Sequence, residues 1–299
     1  MKITVRHTLG LLTLTALLML SSVQAGEYRI ANTEVLTLDD GGRLYDISIK
    51  LPASYYKPEQ FSRRYPVIYM LDAPYSFPLV VGATHFPMNS NKMEQAVLVA
   101  ISWQQGISGN ASRVRDFTPT QAADWKLETG GAERHLNFLA ERVIPFVESR
   151  FRTTAQQRTF MGNSLGGLFG LYVLLNRPTL FEHYVLGSPS LWYDDKALLN
   201  QVSAWADRQQ NPKAKVFIGV GEKETPLGSN IAHDLVGDAI SLKSQLAPWR
   251  FSQLDVKLMI VPDATHEMAF PTVAISALDW LFTYPPQKIQ RGQVSTLIY

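Results

Sequence analysis

The chain has 299 residues, a formal net charge of +2 and no cysteine. The lack of cysteine excludes a disulfide framework, a thiolate zinc site and a cysteine nucleophile. The excess positive charge comes from Lys2 and Arg6, because residues 26–299 carry 26 basic and 26 acidic side chains. Such a balanced charge gives no indication of a nucleic-acid partner.

Residues 1–25 have the pattern of an export signal. The segment starts with basic residues, continues with an apolar stretch at 9–20 and ends in a small-residue cleavage site at 23–25. The alternative is an uncleaved anchor, although the apolar stretch is short for a bilayer span. No later stretch is long and apolar enough to span a membrane. We therefore expect a cleavable signal peptide, a periplasmic or secreted protein, and one catalytic domain over residues 26–299.

The following elements predict a mainly parallel sheet that begins with an antiparallel hairpin. Two β-like runs flank an Asp-Asp-Gly-Gly turn at residues 39–42, which is typical of a hairpin. Short apolar runs then alternate with helical stretches, and this alternation favours an α/β fold with helices on both faces of the sheet. The predicted strands are 34–38, 43–51, 66–71, 96–101, 159–161, 183–186, 216–220 and 256–261. The predicted helices are 131–151, 165–176, 195–208, 231–246 and 270–282.

One long stretch, residues 102–129, shows no clear periodicity and contains Gly106, Gly109 and Pro119. Loops of this length in compact domains are usually lids or binding segments. We therefore expect this stretch to contribute to substrate binding.

Gly162, Ser164 and Gly166 form a G-x-S-x-G pattern between a β-like run and a helical run. At such a strand-to-helix corner the serine Oγ is exposed and the following helix offers N–H groups to an anion. The pattern alone arises by chance in roughly one chain in ten of this length. The hypothesis that Ser164 is a nucleophile for acyl transfer therefore depends on finding its partners.

A serine nucleophile needs a base, and His266 is the best candidate among the histidines. It follows the predicted strand 256–261 by a short turn, so it lies at a strand's carboxyl end, as Ser164 does. A carboxylate should orient this imidazole. Glu224 is the first choice, Glu222 the second and Asp263 the third, since all three follow strand ends.

An ester-cleaving serine also needs two N–H groups for the oxyanion. One is expected from Leu165, directly after the nucleophile, and the other from Asp72 or Ala73 after an early strand. The chain order serine, acid, histidine is that of the α/β-hydrolases.

The chain resembles the Putative esterase family of α/β-hydrolases, which includes esterase D-type enzymes and the enterobactin and bacillibactin esterases. In the family, a Gly-x-x-Glu supplies the acid, and this matches Gly221 to Glu224. The family often has Asp-Gly where this chain has Asp72-Ala73, which implies a differently shaped oxyanion loop. The residues that carry the resemblance are 69–72, 113–119, 130–133, 162–167, 188–192 and the turn at His266.

The resemblance implies that Arg113 or Arg115 faces an anionic substrate, whereas an ion pair with Asp116 is the simpler interpretation. Trp192, and less so Trp103, could stack on an aromatic group or pack in the core. The predicted function is an exported serine esterase with no metal or organic cofactor, acting on a small ester, with a trilactone siderophore as one candidate. The alternatives are a general esterase, an acyltransferase and a non-catalytic binding protein.

Overall fold

A computed structural model describes residues 29–208, 213–228, 232–246 and 253–283. The chain divides into two compact units, residues 1–31 and residues 32–299. In the first unit only residues 29–31 are described, and the predicted signal segment at 1–25 lies outside the described residues. The fold below is that of the second unit.

Eight strands form one sheet in the order β1-β2-β4-β3-β5-β6-β7-β8. The pairs β1–β2 and β2–β4 are antiparallel, and every other neighbouring pair is parallel. This is the predicted α/β-hydrolase architecture, a mostly parallel sheet with an antiparallel hairpin at its start. The strands are β1 Thr33–Asp40, β2 Arg43–Lys50, β3 Tyr65–Met70, β4 Val97–Gln104, β5 Thr153–Asn163, β6 His183–Gly187, β7 Ala214–Gly221 and β8 Leu254–Val261.

Five of the helices form two groups whose members contact one another. One group contains α1 and α9, and the other contains α2, α3 and α5. The helices are α1 Ala73–Asn89, α2 Gly109–Phe117, α3 Ala132–Phe138, α4 Ile144–Arg150, α5 Leu165–Asn176, α6 Tyr193–Lys196, α7 Val202–Arg208, α8 Leu235–Gln245 and α9 His266–Phe282. A π-helical turn, Leu139–Val143, joins α3 to α4.

Two of these helices were not predicted from the sequence. Helix α1 contains Pro78 and Pro87, and a proline inside a helical pattern predicts a break. Helix α2 lies within the stretch 102–129, so that stretch is not the structureless loop expected. The Ser108 side chain accepts a hydrogen bond from the Ala111 N–H and starts this short, polar helix, whose apolar positions are too few to predict it.

The fold brings the carboxyl ends of the parallel strands to one edge of the sheet. Strand β3 leads into α1, β5 into α5, and β8 into α9 through the turn at residues 262–265. Helix α9 begins at His266, four residues before the predicted start, so this histidine stands at the helix N-terminus. Among the described residues, no helix has the length and hydropathy needed to cross a bilayer.

Candidate active site

Ser164 lies at a sharp corner between β5 and α5. Its backbone has φ 59° and ψ −120°, a conformation that costs free energy for any residue with a Cβ. Two hydrogen bonds hold the corner: the Ser164 N–H donates to the Gly187 carbonyl at 2.8 Å, and the Ser190 N–H donates to the Ser164 carbonyl at 3.1 Å. The surrounding loops therefore fix the serine in a strained position at the sheet edge.

Close backbone approach explains the first glycine of the pattern. A Cβ on Gly162 would overlap the carbonyl oxygen of Gly166 as the chain turns back. A Cβ on Gly167 would likewise crowd the Gly187 carbonyl of the next strand. Larger residues would push α5 away from the sheet and displace the corner.

His266 contacts Glu224, one of the three carboxylates considered. The His266 Nδ1 lies 2.6 Å from Glu224 Oε2. Glu224 is fully buried, and its other oxygen, Oε1, accepts hydrogen bonds from Ser188 Oγ and the Gly221 N–H, each at 2.6 Å. A carboxylate with this many donors is held in one orientation, and it fixes the Nδ1-protonated tautomer of His266.

The other two candidate acids, Glu222 and Asp263, contact other groups. Glu222 is exposed and accepts a hydrogen bond from the Asp263 N–H at 2.9 Å. The Asp263 side chain is 87% exposed and pairs with Lys223 at 3.3 Å. Of the three, the geometry brings Glu224 to the imidazole.

Ser164 and His266 share the wall of an open cavity of about 610 Å³. The Ser164 Oγ lies 3.3 Å from the Ser190 Oγ, so this buried hydroxyl sits beside the candidate nucleophile. Apolar and polar side chains complete the wall. They are Tyr75, Leu79, Trp103, Asn110, Arg113, Asn163, Glu267, Phe270 and Pro271.

Two helix N-termini meet next to Ser164. Strands β3 and β5 are neighbours, and the helices that follow them begin at Ala73 and Leu165. The first N–H groups of a helix have no partner within it, so both residues can donate to an oxyanion. The left-handed residue of the loop is Asp72, with φ 56°, and Ala73 is already helical. Alanine at this position therefore introduces no strain.

The Asp72 side chain is fully buried behind the cavity wall and accepts four hydrogen bonds. Its Oδ1 accepts from Trp103 Nε1 at 2.6 Å and from Arg113 Nε at 3.1 Å. Its Oδ2 accepts from Arg113 Nη2 at 3.1 Å and from the Tyr75 hydroxyl at 2.7 Å. We call these four residues the cavity network.

The cavity network perturbs the groups within it. Burial raises the pKa of the Tyr75 hydroxyl above its ordinary value, and the charge of Asp72 raises it further. Burial alone would lower the pKa of Arg113, but the charge and hydrogen bonds of Asp72 outweigh it and raise that pKa. Arg113 therefore stays cationic and paired while it lines the cavity.

The other two predicted substrate-binding residues are not brought to the cavity. The Arg115 guanidinium is buried and donates to Asp116 through Nε at 2.8 Å and Nη2 at 3.0 Å. The simpler interpretation of an Arg–Asp pair therefore describes Arg115. Trp192 is half-buried and stacks on His233, with ring centroids 4.0 Å apart and planes at 4°. Within the described residues, neither Arg115 nor Trp192 lines this cavity.

Several residues at the site were not assigned roles from the sequence. Ser188 and Ser190 belong to the motif at 188–192 that carried the family resemblance, so a signal was present without a function attached to it. Asp72 belongs to the motif at 69–72, which also carried the resemblance, but a role was assigned only to its backbone N–H, and Tyr75 lies in no such motif. Their partners, Trp103 and Arg113, lie 31 and 41 residues beyond Asp72 in the chain.

Comparison with known proteins gives one consistent family. The model of the family described as Putative esterase matches residues 41–254. The chain is 31% identical to the ferri-bacillibactin esterase BesA of Bacillus subtilis over 66% of its own length and 72% of that protein. It is 28% identical to a siderophore triacetylfusarinine C esterase of Aspergillus fumigatus, over 66% and 70% of the two chains.

The fold also matches a solved structure. The crystal structure of the BES protein from Bacillus cereus superposes with a TM-score of 0.76 at 26% identity, covering 89% of this chain and all of that one. The chain belongs to the Putative esterase family and is an ester-hydrolysing serine hydrolase with the α/β-hydrolase fold.

Proposed function

We propose that this protein hydrolyses the ester bonds of a siderophore through Ser164, His266 and Glu224. The observation that carries the proposal is the 2.6 Å contact between His266 Nδ1 and the buried Glu224, in the wall of the cavity that holds Ser164. The names of the relatives support the substrate class, since two of them are siderophore esterases.

In the proposed mechanism, the Ser164 hydroxyl turns from Ser190 towards Nε2 of His266. Nε2 takes the proton as Oγ attacks the ester carbonyl carbon, and the imidazolium is stabilised by Glu224. The N–H of Leu165, with that of Ala73 or Asp72, stabilises the oxyanion. His266 then returns the proton to the leaving alcohol oxygen, and a water activated by the same imidazole releases the acid from Ser164.

The nucleophile is tested with a fluorophosphonate probe and a p-nitrophenyl ester. We expect the wild-type protein to be labelled once per chain, and Ser164→Ala to lose the label and about 10⁵-fold in kcat. Ser190→Ala is the matched control, because it removes the neighbouring hydroxyl and should keep the label. Labelling that survives in Ser164→Ala would refute the assignment.

The acid is tested by comparing Glu224→Gln with Glu222→Gln. A glutamine at 224 donates to Nδ1 and stabilises the wrong tautomer, so kcat should fall by roughly 10³- to 10⁴-fold. Glu222 is exposed and does not touch His266 in the described residues, so its variant should keep kcat within about twofold. The reverse pattern would identify Glu222 as the acid.

The substrate class is tested with a panel of esters. It contains short p-nitrophenyl esters, S-formylglutathione, and trilactone siderophores with and without ferric iron. A kcat/KM for a siderophore at least about 100-fold above that for the other esters would support the proposal. Comparable values across the panel would make the protein a general esterase.

Export remains a separate proposal, supported by the basic start, apolar stretch and cleavage pattern of residues 1–25. The expected mature protein begins at Gly26. Mass spectrometry of the protein from the periplasmic and extracellular fractions tests this. An intact N-terminus on membrane-bound protein would instead indicate the uncleaved anchor.

A further inference from the structure

We infer that the Asp72 carboxylate is a positioning residue that fixes Trp103, Tyr75 and Arg113 as one wall of the cavity and cancels the charge of Arg113. On this assignment, which rests on the proposed esterase function, Arg113 is not a receptor for an anionic substrate. The cavity wall instead suits an ester whose acyl part is uncharged.

The Asp72 carboxylate is saturated with hydrogen-bond donors. Each Asp72 oxygen accepts two hydrogen bonds, and Arg113 makes a two-pronged contact through Nε and Nη2. Both members of this ion pair are shielded, because Asp72 is fully buried and the Arg113 side chain is 18% exposed. A fork of this kind holds the guanidinium in one plane, so its outer edge can only offer hydrogen bonds in a fixed direction.

The Asp72 carboxylate lies close to the start of α5, which directly follows Ser164. A Cβ built on Gly166, two residues after Ser164, would lie 3.5 Å from Asp72 Oδ2. An unpaired negative charge so close to the start of α5 would repel the oxyanion that forms there. Arg113 neutralises this charge, and its cationic side chain is therefore needed even when the substrate carries no charge.

The charged side chains around the cavity include carboxylates as well as Arg113. The carboxylate that lines the cavity itself is that of Glu267. Hydrogen bonds from its own backbone N–H and from the Thr265 hydroxyl lower the pKa of Glu267 below the ordinary value. With Arg113 cancelled by Asp72, the described wall carries no excess positive charge at neutral pH. An anionic acyl group would gain nothing there.

The experiment compares a neutral acyl ester, p-nitrophenyl butyrate, with an anionic one, mono-p-nitrophenyl succinate. The variants are Arg113→Gln, Asp72→Asn and the double variant. Asparagine adopts the left-handed conformation of residue 72 readily, so Asp72→Asn changes the charge and keeps the backbone. Asp116→Asn is the matched control, because Asp116 holds Arg115 by the same fork outside the cavity.

We expect Arg113→Gln to lower kcat on the neutral ester about tenfold, because it leaves Asp72 unpaired. The double variant should recover kcat to within about threefold of wild type, since both charges are gone. Asp72→Asn should raise the kcat/KM ratio of the anionic to the neutral ester about tenfold, whereas Asp116→Asn should leave that ratio unchanged. A loss in Arg113→Gln that is confined to the anionic ester, or a double variant no better than Arg113→Gln, would overturn the inference.

If the Asp72 variants do not fold, Arg113→Lys decides the question. Lysine keeps the charge, so kcat on the neutral ester should stay well above that of Arg113→Gln, and equal losses in the two variants would refute charge cancellation. These outcomes are distinct from failure of the proposed function. Failure of that function would appear as fluorophosphonate labelling that survives in Ser164→Ala or as no preference for a siderophore.

Discussion

Two aspartate–arginine–tyrosine networks in the described part of the chain share their chemistry and differ in their surroundings. In the cavity network, Asp72 takes the fork of Arg113 and the hydroxyl of Tyr75. In the second, which we call the core network, Asp116 takes the fork of Arg115 and the hydroxyl of Tyr45 at 2.9 Å. The same three side-chain types thus occur once beside the candidate active site and once in the protein interior.

Helix α2 supplies both arginines, two residues apart, which places them on opposite sides of the helix. One side meets the loop after β3, and the other meets β2. The comparison shows that arginine next to a carboxylate is no guide to substrate binding by itself. What distinguishes the two networks is whether a cavity lies on the far side of the guanidinium.

The largest expected effect that separates the networks is on stability. Asp116→Ala leaves the buried Arg115 without its partner, and breaking a buried pair in this way costs about 3–5 kcal/mol of unfolding free energy. The kcat of the folded protein should stay within about twofold of wild type, since the core network does not line the cavity. Urea unfolding and p-nitrophenyl ester kinetics measure both quantities.

A fall in kcat of tenfold or more in folded Asp116→Ala would contradict this separation. It would mean that α2 transmits the loss from one side to the other. Ser112→Ala is a milder matched variant, because it removes one 2.9 Å hydrogen bond to the same carboxylate, together with the 2.8 Å hydrogen bond that the Ser112 hydroxyl accepts from the Gln104 N–H. It should lower the unfolding free energy by about 1–2 kcal/mol, again with unchanged kcat.

The two networks also show what could and could not be predicted from the sequence. The strands were recognisable because buried parallel strands such as β3 and β7 are continuous apolar runs. Ser164, Glu224 and His266 could be placed together because each follows a strand, and strand ends share one edge of the sheet. Their catalytic roles stay predictions.

The sequence could not show that Arg113 lines the cavity and that Arg115 points into the interior. With residues 102–129 treated as a loop, no helix phase assigned the two side chains to opposite sides. The partners of the Asp72 carboxylate could not be predicted, because its four donor groups come from three separate segments of the chain. Helix α1 could not be predicted because it contains two prolines. It also packs against both the sheet and α9, so it lacks the polar face that makes a helix recognisable in the sequence.

A second prediction concerns how the unfolding free energy depends on pH at the core network. His135 is buried against the core network, with its ring centroid 5.6 Å from that of Tyr45, and burial lowers its pKa below the ordinary value of 6.5. The unfolded chain therefore takes up a proton before the folded one, and the unfolding free energy should fall as the pH drops below about 6.5. One histidine contributes at most about 1.4 kcal/mol per pH unit.

The variant His135→Phe fits a site already surrounded by aromatic rings, and it should make this slope shallower. His183, whose pKa burial lowers to about 4, accounts for part of the remaining slope between pH 6.5 and 4. Urea unfolding at a series of pH values measures the effect. An unchanged slope in His135→Phe would show that His135 does not contribute to the acid sensitivity of the protein.

The smallest expected effect concerns the outer end of the core network. Arg43 approaches Asp116 at 3.8 Å, and its side chain is 24% exposed, so water screens the pair. Arg43→Gln should lower the unfolding free energy by about 0.5 kcal/mol or less, and 1 M salt should remove most of the difference. In the cavity network the corresponding extra donor is Trp103, a neutral indole at 2.6 Å, so Trp103→Phe should give a stability loss that salt does not change. A salt-independent loss in Arg43→Gln would show that this arginine belongs to the buried pair, and the core network would then hold two arginines where the cavity network holds one.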